Sequence, residues 1–236
     1  MKGLILALQF MTRLPLPRAH ADEGDFARAI RWFPATGLAV GAIVAGAAFV
    51  GARIDPWTGA LAGLVAWVIV TGALHLDGLG DLADARGAAH GDRERLLAVL
   101  ADPHVGSFGV VAIGVQLLAK LVLLHAVVDR GASIALIAIP FAARIGPLAW
   151  TLWLPPLHAG LASRFRAAVR LLDVALWGVL LLVAAWFAPP LLVAPVLILC
   201  WGWWLRGNIG GISGDGHGGG IELTETGLLL ALLALR

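Results

Sequence analysis

The sequence predicts an all-α fold: a polytopic integral membrane helical bundle of about seven transmembrane helices. Three observations carry this reading. Of the 236 residues, 60% are hydrophobic and only 14% are charged. A soluble domain has about half apolar residues and about a quarter charged ones, so the apolar excess has no home in one water-soluble core. The mean hydropathy is +0.89. The last observation is spacing: apolar runs of about 20 residues, the length that crosses a bilayer as a helix, recur along the whole chain.

Seven runs reach or approach that length, at about 33–52, 57–76, 105–128, 132–153, 172–188, 190–205 and 221–235. The fifth and sixth meet at Pro189-Pro190 and read as a tight helical hairpin. The first residues, Met1 to Leu6, open like a signal peptide. They lack a small-residue cleavage site and run into Arg13-Leu14-Pro15-Leu16-Pro17-Arg18. This stretch is expected to be a short, retained interfacial or re-entrant helix. No repeat, low-complexity tract or linker divides the chain, so residues 1–236 read as a single membrane-embedded domain.

The polar segments set the expected orientation. Arg13, Arg18, Arg28 and Arg31 fall in the first, Arg86, Arg93 and Arg95 in the second, Arg164, Arg166 and Arg170 in the third, and Arg206 in the fourth. The seven runs place all four on one side. The other side receives Arg53, Arg130 and Arg236. Cytoplasmic loops are enriched in Lys and Arg, so the four polar segments are expected to face the cytoplasm.

Composition also excludes classes. The formal net charge is +2, with no Lys/Arg runs and no basic–aromatic interleaving, which argues against a nucleic-acid partner. Cys200 is the single cysteine, which rules out an internal disulfide framework and a Cys-based zinc site.

The chemistry concentrates in Thr71-Gly72-Ala73-Leu74-His75-Leu76-Asp77-Gly78-Leu79-Gly80-Asp81-Leu82-Ala83-Asp84. Asp77, Asp81 and Asp84 follow the spacing i, i+4, i+7, which places them within a sector of roughly 60° on a helix. They follow an apolar span directly, so they sit at a membrane boundary, where ionisable groups are costly and usually functional. Two like charges about 4 Å apart repel by about 4 kcal/mol at an effective dielectric near 20. A cation relieves that repulsion, and an oxygen-only donor set suits Mg²⁺ or Mn²⁺. The alternative is a solvated helix end. Gly78 and Gly80 leave room for a ligand against the backbone. His75 reads either as a base or phosphate-positioning group, or as a hydrogen-bonded packing residue.

Two further stretches stand out. In Asp102-Pro103-His104-Val105-Gly106-Ser107-Phe108-Gly109, Asp102 and Ser107 are candidate helix caps, and Gly106 and Gly109 permit close packing or a phosphate at a helix N-terminus. Lys120 and Arg144 lie inside apolar spans. Lys120 needs a partner, a polar cavity or a snorkelling route to water, and Arg144 could reach a phosphate bidentately; alternatively each pairs with a bundle carboxylate. Gly210-Gly211-Ile212-Ser213-Gly214-Asp215-Gly216-His217-Gly218-Gly219-Gly220-Ile221-Glu222 is too rich in glycine for an ordinary helix. It is expected to be a loop for close approach to a phosphate or cofactor, with Asp215 as a ligand or base, rather than a linker.

These segments, in this order, resemble the cobalamin synthase family, the adenosylcobinamide-GDP ribazoletransferases. The likeness rests on His75-Leu76-Asp77-Gly78-Leu79 with Asp81 and Asp84, on Asp102 to Gly109, and on Gly210, Gly211, Gly214, Asp215 and Glu222. Phe10, Thr12-Arg13-Leu14-Pro15, Pro17, Phe33-Pro34 and Gly37 extend it toward the N-terminus. The resemblance implies transfer of the adenosylcobinamide phosphate moiety from adenosylcobinamide-GDP to α-ribazole or its 5′-phosphate, releasing GMP. It further implies Mg²⁺ and a multi-pass place in the bacterial inner membrane, with the site facing the cytoplasm.

On this reading Asp77, Asp81, Asp84 and Asp215 hold the metal, and Asp77, Asp81 or His75 carries the chemistry. Gly78, Arg86, His104, Gly106, Lys120, Arg144, Gly211, Gly214 and Glu222 contact substrate. Partners are the two substrates and membrane lipid, with a homo-oligomer or other cobalamin-pathway enzymes left open. Two positions depart from the family pattern: His104 stands where arginine is expected, and Gly216-His217 where Thr-Leu is expected. They bear on fine substrate contacts more than on reaction class.

Two other classes compete. CDP-alcohol phosphotransferases also set spaced aspartates at a membrane face, but their Asp-Gly-x2-Ala-Arg pattern is absent here. A small-ion transporter would distribute polar residues through the bilayer midplane, whereas most of these lie in segments on one face.

Overall fold

Proline, glycine and a few capping carboxylates decide where each apolar run stops. The computed structural model describes residues 2–17, 20–158 and 160–235. Arg18 and Arg236, counted among the loop charges above, lie outside them. Helix α1 (Lys2–Met11) turns Leu6, Ala7 and Met11 inward. Helix α2 (Glu23–Ala29) starts at Asp22, whose carboxylate accepts the Asp25 N–H, and passes through a 3₁₀ turn into α3 (Phe33–Gly51). The Asp55 carboxylate then accepts the N–H groups of Trp57 and Thr58 and starts α4 (Pro56–Thr71), relieving donors that have no partner within the helix. Helices α3 and α4 pack together.

The expected run 57–76 is interrupted. Gly72 (φ +61°) and Ala73 (φ +58°) are both left-handed, and the chain turns by 84° into α5 (Leu74–Ala89). The Arg13 N–H donates to the Val70 carbonyl at 2.7 Å, bracing this corner from the N-terminal segment. A second left-handed pair, His90 and Gly91, leads to α6 (Arg93–Leu100). Helix α7 (Ser107–Asp129) follows. The run expected at 132–153 is broken into a 3₁₀ turn, α8 (Ala138–Ala143) and α9 (Gly146–Trp153); Pro147 cannot continue the preceding helix. Helix α10 (Leu161–Ala168) bends by 85° into α11 (Leu171–Phe187). After a 3₁₀ turn come α12 (Ala194–Asn208) and α13 (Gly214–Ala234).

Four stretches are long and apolar enough to cross a membrane: Glu23–Gly51, Ser107–Asp129, Ser133–Trp153 and Pro189–Asn208. The number is six if each bent pair, α4 with α5 and α10 with α11, counts as one span. The run expected at 221–235 is the difference from about seven. It belongs to α13, which packs against α5, α7, α8, α9 and α12 and buries Glu222 and Glu225.

Helix α13 also corrects the expectation of a loop at 210–222: the helix begins at Gly214. Each helical glycine costs about 1 kcal/mol relative to alanine, but a side chain here has nowhere to go. A Cβ at Gly220 would lie 2.4 Å from ring atoms of both Trp150 and Trp201, and one at Gly218 would lie 3.2 Å from the His75 backbone. Packing therefore overrides propensity. A smaller apolar cluster joins Leu6 and Met11 of α1 to Phe33, Phe165 and Ile221.

The corner before α5 yields a test. A left-handed residue other than glycine costs about 1–2 kcal/mol, and glycine's greater backbone entropy returns about half of that. Ala73→Gly is expected to stabilise the protein by about 0.5–1 kcal/mol, read as a rise in thermal midpoint in detergent. A fall would show that the Ala73 methyl contributes packing that outweighs the strain.

Candidate active site

Helix α5 presents its aspartates at three depths. Asp77 is exposed, Asp81 partly buried and Asp84 buried. Gly78 lets the start of α13 approach: a Cβ there would lie 2.8 Å from the Asp215 Cα. Asp81 consequently lies in the field of Asp77, Asp215 and Asp84, in that order, while also losing solvent. Asp215 feels Asp77 and the opposing charge of His158. The Ser213 hydroxyl accepts the Gly216 N–H at 3.1 Å, capping α13, and donates to an Asp215 oxygen at 3.3 Å. Two segments more than 130 residues apart in sequence thus bring Asp77, Asp81 and Asp215 to one place.

Among the described residues, no three His, Cys, Asp or Glu side chains converge closely enough to hold a metal ion alone. Mg²⁺ rarely needs such a cage: one or two carboxylates with substrate phosphates and waters are its usual shell. The crowded, oxygen-only donor set fits an ion that arrives with a phosphate.

Asp84 does something else. Its two oxygens accept the backbone N–H groups of Gly106 (2.7 Å) and Gly109 (2.9 Å). It therefore caps the N-terminus of α7 from a neighbouring helix, where a carboxylate also meets the positive end of the helix dipole. Gly106 and Gly109 are required for this contact, because a Cβ at either would lie within 2.4 Å of an Asp84 oxygen. The expected caps, Asp102 and Ser107, are not used. Asp102 instead accepts the backbone N–H (3.0 Å) and ring Nδ1 (2.6 Å) of exposed His104, and these bonds hold its carboxyl below the usual carboxylate range.

Lys120, Arg144 and Glu222 join one buried network, together with Glu225, which the sequence reading did not single out. Lys120 Nζ lies 2.7 Å from Glu222 and 2.6 Å from Glu225, and 4.3 Å from the Trp67 ring centroid. Arg144 donates to Glu225 at 2.8 Å and to the Pro140 carbonyl at 3.0 Å. Gln116 Nε2 donates to the Glu222 carbonyl and carboxylate and to the Thr226 hydroxyl. Two cations meet two anions, so the cluster is neutral. Of the readings open for these cations, pairing with bundle carboxylates is the one the structure shows. The available signal for Glu225 was its place three residues after Glu222 in an apolar run.

His75 abuts this network and is only 3% exposed. Arg144 Nη2 approaches its Nδ1 at 3.5 Å, and Nε2 lies 3.3 Å from Met11 Sδ. Arginine can only donate, so Nδ1 is the accepting nitrogen and the ring proton points at sulfur. Packing is thus the role the structure gives His75, and its nitrogens are turned away from solvent. His217, also buried, meets the Thr151 hydroxyl at 3.3 Å.

The remaining expected residues lie around this centre. Gly211 passes against the Pro155 carbonyl, where the Ile212 N–H donates to the Pro155 carbonyl at 2.8 Å and the Ile212 carbonyl accepts the Leu157 N–H at 3.0 Å. Gly214 is exposed at the start of α13, and exposed Arg86 donates to the Asn208 side chain at 3.3 Å.

The family model described as cobalamin-5-phosphate synthase matches residues 3–233. The chain belongs to this family. It is 66% identical to a protein of Novosphingobium aromaticivorans over 98% of this chain and 96% of that one. It is 56% identical to one of Laribacter hongkongensis over 100% and 98%, and 50% identical to one of Thiobacillus denitrificans over 98% and 94%. All three relatives are named adenosylcobinamide-GDP ribazoletransferase. No solved structure matches. Within the family likeness, the carboxylates of α5 and α13 and the neutral core network are this chain's own observed geometry.

The network predicts non-additivity. Lys120→Met strands two buried carboxylates beside one cation and is expected to cost about 3–5 kcal/mol. Lys120→Met combined with Glu222→Gln leaves Arg144 and Glu225 paired and is expected to recover much of that loss. Thermal midpoints of the single and double variants decide it, and simple additivity would contradict the charge-balance account.

Proposed function

We propose that this chain transfers the adenosylcobinamide phosphate moiety of adenosylcobinamide-GDP to α-ribazole or its 5′-phosphate. GMP leaves, and adenosylcobalamin or its phosphate forms. The observation that carries this reading is the convergence of Asp77, Asp81 and Asp215 in a chain aligned almost end to end with proteins named for that reaction. An acceptor hydroxyl forms a new P–O bond at the phosphorus attached to cobinamide, and the P–O bond to GMP breaks. Such transfers depend mainly on positioning and charge neutralisation.

One or two of Asp77, Asp81 and Asp215 would hold Mg²⁺ together with the substrate phosphates, and the ion when bound neutralises diphosphate charge and favours departure of GMP. The residues of the chain have separable tasks. The exposed Asp77 and half-exposed Asp81 face the entering substrate, and one of this pair takes the hydroxyl proton. Asp84 and Gly106 fix the start of α7 beside them. Buried His75 supports the corner from within. The Arg-rich polar segments support a multi-pass arrangement in the bacterial inner membrane with this face toward the cytoplasm.

The test is GMP release from adenosylcobinamide-GDP by the protein in membranes, with α-ribazole added or omitted. Ribazole-dependent formation of cobalamin is expected, and its absence would overturn the proposal. Asp77→Ala and Asp81→Ala are each expected to lower the rate by about 10²–10³, the scale for loss of one charge-stabilising group. EDTA is expected to abolish turnover and Mg²⁺ to restore it. Wild-type rates in both variants would sink the carboxylate assignment.

A further inference from the structure

The face of α5 opposite the aspartates is also built for something. Leu79, Leu82, Ala83 and Arg86 recur at helical spacing and lie roughly half a turn around the helix from Asp77, Asp81 and Asp84. With Leu197, Cys200, Trp201 and Trp204 of α12 and Leu223 of α13, they line a groove of about 640 Å³. That is the size of a small-molecule site, but its walls are almost wholly apolar. From Leu197 to Trp204 the α12 wall runs about 10 Å along the helix axis, a length suited to a hydrocarbon chain. Trp201 and Trp204 stack with centroids 4.8 Å apart and stiffen that wall. Leu223 and Cys200 are exposed, and α12 belongs to a stretch able to cross a membrane, so the groove opens toward acyl chains.

Its polar end is cationic. Arg86 is exposed and, among the described residues, makes no ion pair; its contact is the Asn208 amide oxygen. One residue beyond, the Ile209 carbonyl accepts from Arg93 at 3.5 Å. A second depression of about 550 Å³, between Val115 and Leu123 of α7 and the outer face of α13, has no cation on its rim. The two therefore differ in charge and not in greasiness.

We propose that the α5–α12–α13 groove binds an anionic phospholipid, its phosphate at Arg86 and one acyl chain along Trp204, Trp201 and Leu197. The bound chain would press on the back of the helix that carries the aspartates.

Photocrosslinking tests this on the full-length protein in phosphatidylcholine vesicles doped with phosphatidylglycerol bearing an acyl diazirine. Crosslinks are expected in the peptides covering Leu79–Gly87 and Leu197–Trp204, displaced by unlabelled phosphatidylglycerol and not by added phosphatidylcholine. Arg86→Glu is expected to weaken that displacement by about fivefold, the scale of one basic group at an anionic surface. Ala83→Phe, with an unchanged thermal midpoint, is expected to remove groove crosslinks while those on α7 persist. Equal displacement by both lipids, or crosslinks spread evenly over α7 and α11, would overturn the proposal. So would loss of groove crosslinks on adding adenosylcobinamide-GDP, which would assign the groove to substrate.

Discussion

Helix α13 can touch α5 only where both surrender side chains, and the candidate site depends on that contact. Gly78 on one helix accommodates Asp215 of the other, and Gly218 accommodates the backbone at His75. Without these approaches Asp215 would stand away from Asp77 and Asp81. The same economy governs Asp84, whose bonds to Gly106 and Gly109 tie the start of α7 to the same helix. Three helix segments meet with their polar ends together and their side-chain volume removed from the junction.

Such a junction needs something to hold its register, because glycine contributes contact but little directionality. The buried charges supply this. Glu222 and Glu225 lie two to three turns beyond Asp215 on α13 and bind Lys120 of α7 and Arg144 between α8 and α9. Desolvated ion pairs add little net stability, yet they leave few acceptable alternatives. Sliding α13 by one turn would strand several buried charges at once. The site is thus aligned from below by electrostatics and closed above by close packing.

Much of this was legible in the chain. Four of the apolar runs, at 33–52, 105–128, 172–188 and 190–205, appear as helices near their expected bounds, and the spacing of Asp77, Asp81 and Asp84 did place them on one helix. What misled was treating local composition as local structure. Gly214 to Gly220 reads as a loop because propensity is a property of the isolated segment, whereas the ring atoms of Trp150 and Trp201 that demand glycine come from distant helices. The roles of Asp84 and His75 were hidden for the same reason: their partners, Gly106, Gly109, Met11 and Arg144, are fixed by tertiary structure. The break at Gly72-Ala73 was illegible because alanine rarely adopts a left-handed conformation.

The neutrality of the core network has a consequence for life in an energised membrane. A voltage across a bilayer pulls on any net charge within it, by about 2.3 kcal/mol per elementary charge per 100 mV. Lys120, Arg144, Glu222 and Glu225 sum to zero within one hydrogen-bonded group. The electric field therefore exerts no net force on it and finds little to move. The α5–α13 junction that brings Asp215 near Asp77 rests on this group, so the field finds no net charge to pull at its base.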